Sequence, residues 1–287
     1  MIQIKLNSFK RFIDLILFGN IYVALGAVCL VQSSVIQLQF TDHLISYSLL
    51  VFFATLFVYN FQRIFYKSPS ENSQSSIRRK WILKNKTVIK ILTLTGIAGV
   101  FITFFFNDHK LLFFLSPLLI LSLVYFLPFI KLRKNPWLKL LTLVLVWTMV
   151  TAVVPILLTH IEPFTLKDHL HIHVRFCFMM AICIPFDIRD LEIDKADSVS
   201  TLPLLLSENI ARWLAFGFML LYIFLIIPEY LLGMINVQVF LALLISAIIN
   251  AIIVLMSNSK RSEYFYVAGI DGTMILQGIL VMGVYYL

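Results

Sequence analysis

Four aspartates, Asp187, Asp190, Asp194 and Asp197, recur at intervals of three, four and three residues in the stretch 185–197. On a helix turning about 100° per residue, this spacing keeps the four carboxylates within an arc of roughly 80°, with Glu192 pointing the other way. Carboxylates gathered like this repel one another and hold protons more tightly, so a cation has to compensate. Hard carboxylate oxygens suit Mg²⁺, which typically takes one or two of them and completes its shell with water and phosphate oxygens. A metal held in that way can bridge to a diphosphate and offset the charge that grows on a leaving pyrophosphate. Arg189 and Lys195 lie inside the same run and offer the plainer alternative, a solvated helix neutralised by local ion pairs.

Other polar residues stand in apolar surroundings. Asp271 lies about 12 Å into the last hydrophobic run at 1.5 Å per residue, where a carboxylate is costly and is either functional or hydrogen-bonded between helices, with Asn250 or Gln277 as the partner. Asn20 in the first run has the same two readings, lining a cavity or joining helices. His169, His171 and His173 cluster before the Asp run, and His169 with His173 has the i, i+4 spacing of a metal pair. Only Asp168 and His160 offer further ligands, so an interfacial polar fringe is the expected reading. Cys29, Cys177 and Cys183 all fall in apolar runs and imply neither a disulfide framework nor catalysis.

The elements that must position these groups follow from composition. Of 287 residues, 60% are hydrophobic and 13% are charged, about half the roughly 25% of a soluble domain. Apolar runs exceed the roughly 18 residues that mark a membrane-spanning helix, and within lipid only a helix satisfies its own backbone. Nine spans are predicted, over 12–32, 44–62, 87–106, 111–130, 137–159, 170–186, 210–227, 237–256 and 264–287. The first is expected to be retained, since the cationic segment before it leads into an apolar run too long for a signal-peptide core. With the N-terminus in the cytoplasm, 20 of the 23 lysines and arginines fall on that side, and only Lys110, Lys167 and Arg175 on the other. The expectation is an all-α polytopic membrane protein forming a single domain over residues 1–287, in the cytoplasmic membrane of a bacterium, with its polar loops and its chemistry facing the cytoplasm. Partners expected on this basis are membrane lipids. The excess of +8 lies in short loops and does not indicate nucleic acid, and no nucleotide loop, Ser/His/Asp order or CxxC pair occurs.

The run Asp187-Ile-Arg-Asp190-Leu-Glu-Ile-Asp194-Lys, followed by Thr201-Leu202-Pro203, resembles the second aspartate-rich motif of the UbiA superfamily of intramembrane prenyltransferases. Tyr125, Pro128 and Lys131 at the end of the fourth span are similar to that family's Tyr/Pro/Lys segment. The resemblance implies nine helices around a central cavity and Mg²⁺-dependent transfer of a prenyl group from a prenyl diphosphate to a small acceptor, such as an aromatic or a quinone precursor. It also implies Asp187, Asp190 and Asp194 as metal ligands, with Asn60, Arg63, Tyr125 and Lys131 at the diphosphate, and Asn20, Asp197 and Asp271 as further polar groups of the cavity. The family's first motif departs from the pattern. Asn60 is kept, but Phe61, Ile64 and Ser68 stand where carboxylates belong. Either Arg63 and Lys67 supply positive charge directly to the diphosphate, or the chain binds a lipid phosphate, or serves as a scaffold, without turnover. Both cations also have the bland reading of anchors that reach the headgroups.

Overall fold

A computed structural model describes residues 2–40, 42, 44–64, 76–107, 110–126, 135–159, 164–196 and 199–286, without the side chains of 2–7, 110, 112 and 123–126. Among the described residues every regular element is helical, in the order α1 (Ile2–Phe18), α2 (Ile21–Gln37), α3 (Ile45–Ile64), α4 (Ile77–Lys84), α5 (Lys86–Phe104), α6 (Lys110–Phe126) and α7 (Pro136–Thr148), then α8 (Val154–Thr159), α9 (Leu166–Arg189), α10 (Leu191–Ala196), α11 (Leu202–Leu206), α12 (Glu208–Leu231), α13 (Val237–Leu255) and α14 (Gly272–Tyr286). A π-helical turn, Met149–Val153, joins α7 to α8, and a second, Phe265–Ile270, leads into α14.

Among the described residues, seven helical spans are long and apolar enough to cross a membrane, or eight if the bent pair α1–α2 forms one. Eight of the nine expected spans coincide with these, the first only as the bent pair, and the expected fourth is not among them. The first, 12–32, is broken: Asn20 takes a left-handed backbone (φ 62°, ψ 15°), and Ser8–Phe18 and Ile21–Gln37 meet at 54°. Gly19-Asn20 is the pair that stops helices, because both residues tolerate the turn that ends one. The fourth, 111–130, is helical over Lys110–Phe126, and its last residues lie outside the described ones.

Caps in the sequence set where the helices begin. Asn135 accepts from the Trp137 and Leu138 amides and Pro136 opens α7, while Thr165 and Asp168 cap each other reciprocally at the start of α9. Helix α9 is the axis of the fold. Val174, Cys177, Phe178, Met179, Met180, Ala181, Ile182 and Ile184 are all buried, so it is covered on every side, the pattern of an interior helix. It packs against α12 and α7, while α2 packs on α3 and α14. Close approach requires glycine at two positions. A Cβ at Gly278 of α14 would stand 2.7 Å from the Cys29 carbonyl oxygen of α2, and one at Gly96 of α5 would stand 2.7 Å from the Phe57 nitrogen of α3. The outer faces carry exposed Leu94, Phe101, Phe224 and Ile252, suited to lipid contact.

Candidate functional site

The aspartate run does not continue as one straight helix. Helix α9 ends at Arg189, Asp190 sits in a turn (φ −87°, ψ 5°), and α10 resumes at Leu191. Residues one apart do not face each other on a helix, and the turn at Asp190 allows a contact the helix would forbid. The Arg189 guanidinium donates twice to Asp190, from Nε at 2.8 Å and from an Nη at 2.7 Å. Arg78 of α4 approaches the same carboxylate at 3.6 Å and Glu263 at 3.6 Å, and Arg189 also lies 3.9 Å from Glu263. The Arg189 guanidinium stacks 4.9 Å from the Phe186 ring centre. Burial would raise the pKa of Asp190, but Arg189 and then Arg78 outweigh it and hold the carboxyl well below its ordinary value.

Asp187 and Asp194 meet elsewhere. Lys139, one turn into α7, donates to Asp187 Oδ1 at 2.7 Å and to Asp194 Oδ2 at 3.2 Å. The three side chains are nearly enclosed, at 12% exposure for Lys139 and 10% for each aspartate. Burial dominates at Asp194 and, against the pull of Lys139, pushes its pKa up to about 6. The second oxygen of Asp187, Oδ2, is buried without a protein partner. Two carboxylates thus converge on one cation, with an acceptor to spare. That donor set fits Mg²⁺, which needs only one or two carboxylates when water and phosphate complete its shell. Among the described residues, no three His, Cys, Asp or Glu side chains gather into a site for a metal ion. Asp190 is engaged by its two arginines, and Asp197 lies outside the described residues.

A polar knot at the broken helix forms the other half of this region. Asn60 of α3, fully buried, donates to the carbonyls of Gly19 at 3.0 Å and Leu56 at 2.9 Å, and its Oδ1 accepts from Asn20 at 3.0 Å. Arg63 donates to Asn20 Oδ1 at 2.8 Å. Asn60 therefore satisfies the carbonyl that the break at Gly19 would leave open. Asp271 follows the second π-turn and is only partly enclosed. Arg189, Arg78 and Arg63 all lie within electrostatic reach of it. Its field also reaches Tyr59 and Cys183, and Cys183 in turn feels Asp187.

Of the residues singled out from sequence, the structure brings Asp187 with Asp194, and Asn20 with Asn60 and Arg63, and puts Asp271 within electrostatic reach of Arg63. Tyr125 belongs to α6, but its side chain is not among those described, and Lys131 lies outside the described residues. The sequence reading passed over Lys139, Arg78 and Glu263. Lys139 had a detectable signal, a lysine inside a hydrophobic span at the same depth as the start of the aspartate run. Arg78 and Glu263 come from segments far apart in the chain, and nothing in their local sequence marks them.

A comparison with protein-family models, curated proteins and solved structures finds no match for the chain in any of the three. The fold and its surfaces define the class: a polytopic, all-α membrane protein.

Proposed function

We propose that this protein binds a prenyl diphosphate at the Asp187 end of the bundle and, with Mg²⁺, transfers the prenyl group to a small acceptor, as a UbiA-like intramembrane prenyltransferase. The observation that carries this reading is the convergence of Asp187 and Asp194 on one buried cation position, where Asp187 keeps an unused oxygen. The excess of lysine and arginine on the same side favours a cytoplasmic orientation for that end. The diphosphate meets Lys139 and Arg63, since ammonium and guanidinium groups both bind phosphate oxygens well. Lys131 and Tyr125 join them by resemblance. Mg²⁺, when bound, offsets the charge that grows on the leaving pyrophosphate. The bond between the allylic carbon and the diphosphate oxygen breaks, pyrophosphate leaves with the electron pair, and the acceptor forms the new bond and loses a proton. Apolar helices around the chain keep water from the allylic centre.

One observation favours a second reading, binding without turnover. Lys139 already neutralises both aspartates, and the segment with Asn60 and Arg63 brings no carboxylate to a second metal. The test is a binding screen on the purified chain with prenyl diphosphates of graded length, with and without Mg²⁺, followed by pyrophosphate release across a panel of acceptors. Transfer predicts Mg²⁺-dependent binding that is lost in Asp187→Asn/Asp194→Asn, together with release above background. Binding with no release supports the second reading, and no binding under either condition ends both.

A further inference from the structure

About 24 Å along α9 from Asp187, on the opposite half of the bundle, a second polar group is fully enclosed. His171 and Arg175 of α9, Glu229 of α12, Ser34 of α2 and Gln277 of α14 are each at most 2% exposed. The hydrogen bonds among them dictate where protons sit. Ser34 has one hydroxyl proton and two acceptor sites. It donates to the Thr151 carbonyl at 2.6 Å and accepts from Arg175 at 3.0 Å. Its remaining contact, His171 Nε2 at 2.9 Å, must therefore be one in which the imidazole donates. With Nε2 protonated, Nδ1 faces Glu229 Oε1 at 3.3 Å with two options. Either Nδ1 also carries a proton and meets a carboxylate, or Nδ1 is bare and accepts from a carboxylic acid. Both arrangements place one proton between the two residues. The arrangement without it sets a bare ring nitrogen against a carboxylate, two acceptors with no donor, where no water competes.

The surroundings hold this assignment in place. Arg175 donates to the Leu30 carbonyl at 3.1 Å and to Gln277 at 3.4 Å, and Gln277 donates to the Tyr222 hydroxyl at 2.8 Å. Arg175 and Tyr222 are the charged and titratable groups that act with Glu229, and Asp168, one turn before His171 on α9, is occupied in the helix cap. Among the described residues, the buried polar side chains of α2 beside Ser34, namely Ser33 and Gln37, and Thr151 of the first π-turn are uncharged. Glu229 Oε2 and Arg175 Nε are buried without partners, so Oε1, which faces His171 Nδ1, is the oxygen that the proton bridges.

We propose that His171 and Glu229 form a binding site for a single proton inside the membrane-spanning bundle, remote from the Asp187 end and independent of what that end binds. Occupancy decides whether α12 is held to α9 by a hydrogen bond or set against it by two lone pairs, and through Ser34 and Arg175 the same residues are tied to α2.

The experiment uses the full chain in lipid nanodiscs at pH 7.5, with ¹⁵N-labelled histidine and glutamate labelled at its side-chain carboxyl carbon with ¹³C, read by NMR. His171 is assigned by its absence in His171→Gln. The proposal expects either an imidazolium at His171, or a neutral ring protonated at Nε2 together with one protonated glutamate that Glu229→Gln removes. In Glu229→Gln the amide donates permanently to Nδ1, so His171 becomes neutral with its proton on Nε2. His171 protonated on Nδ1 alone, or on Nε2 alone with every glutamate ionised, overturns it. Where Glu229→Gln does not fold, the wild-type histidine and glutamate spectra decide the matter between these outcomes.

Discussion

Lys139→Met tests the cation position at the aspartate run most directly. Methionine keeps the length of the side chain but removes the charge shared by Asp187 and Asp194. Both carboxylates are about nine-tenths buried, and one oxygen of Asp187 has no other protein partner. Removing one member of a buried ion pair costs about 3–5 kcal/mol, because the partner charge stays behind uncompensated. At roughly 2–4 °C per kcal/mol for a chain of this size, the thermal midpoint in detergent falls by on the order of 10 °C at pH 8. The deficit depends on pH with a definite sign. Asp194 titrates at about 6 in the folded protein, above the ordinary 3.8, and burial is the leading cause. The folded state thus holds the proton more tightly than the unfolded one, and stability falls as pH rises between those values. Without Lys139, which lowers the Asp194 value, the cost of ionisation is larger, so the gap to wild type is widest above about pH 7 and narrows toward about pH 4. If these two carboxylates can hold a divalent ion, Mg²⁺ raises the midpoint of Lys139→Met more than that of wild type, by an increment worth about 2.7 kcal/mol at one hundred times its dissociation constant. Adding Asp187→Asn and Asp194→Asn to Lys139→Met recovers most of the loss, since no uncompensated charge remains. A variant that melts with wild type at pH 8, with or without Mg²⁺, refutes both the ion pair and the metal argument built on it.

Asn60→Ala removes two bonds to carbonyls and leaves Asn20 without its acceptor, so it lowers stability by about 1–3 kcal/mol, read as a drop in thermal midpoint. A surface-like loss of a few tenths of a kcal/mol counts against the asparagine knot. Gly96→Ala forces α3 and α5 apart at a backbone contact of 2.7 Å and costs about 1–3 kcal/mol, while Gly217→Ala, with open space around it, is the matched control with no such clash. Asp190→Asn weakens the Arg189 fork, costing about 1–3 kcal/mol at neutral pH. Because the folded carboxyl is held below its ordinary 3.8, that stabilisation is present above 3.8 and is lost only as pH falls through the lower folded value, so acid melts of the two proteins converge well below pH 3.8.

Most of the architecture was legible because lipid leaves the backbone only one way to satisfy itself, so hydrophobic length alone located the spans. The break at Gly19-Asn20 also had its signal, a helix-stopping pair inside an apolar run, but length outweighed it in reading 12–32 as one piece. In the aspartate run, periodicity put Asp187, Asp190, Asp194 and Asp197 on one continuous helical face, whereas the helix breaks at Asp190, Lys139 joins Asp187 to Asp194, and Asp190 turns to its neighbour Arg189. The need for a compensating cation followed from repulsion, whereas the identity of the cation found there did not. Lys139, Arg78 and Glu263 reach the site through tertiary packing, which no local spacing encodes. His171 illustrates the reverse error: as part of a histidine cluster it read as interfacial, yet Ser34 and Glu229, 137 and 58 residues away along the chain, enclose it.

The π-turn at Phe265–Ile270 has a consequence for the aspartate that follows it. Such a turn holds one residue more than the α-turn it replaces, with the Asp271 amide bonded five residues back to Tyr266. The stretch before it, with Tyr264 bonded to Asp14 and Tyr266 to the Asn258 carbonyl, and the stretch after it, with Gln277 and Gly278 against its neighbours, are therefore phased separately. Excising one residue from a regular α-helix would swing everything downstream by about 100° about the axis, whereas here the wide turn can close to an α-turn and leave both flanking stretches where they are. The spare residue is thus a place where a lineage could gain or lose one position without disturbing the packing on either side of Asp271.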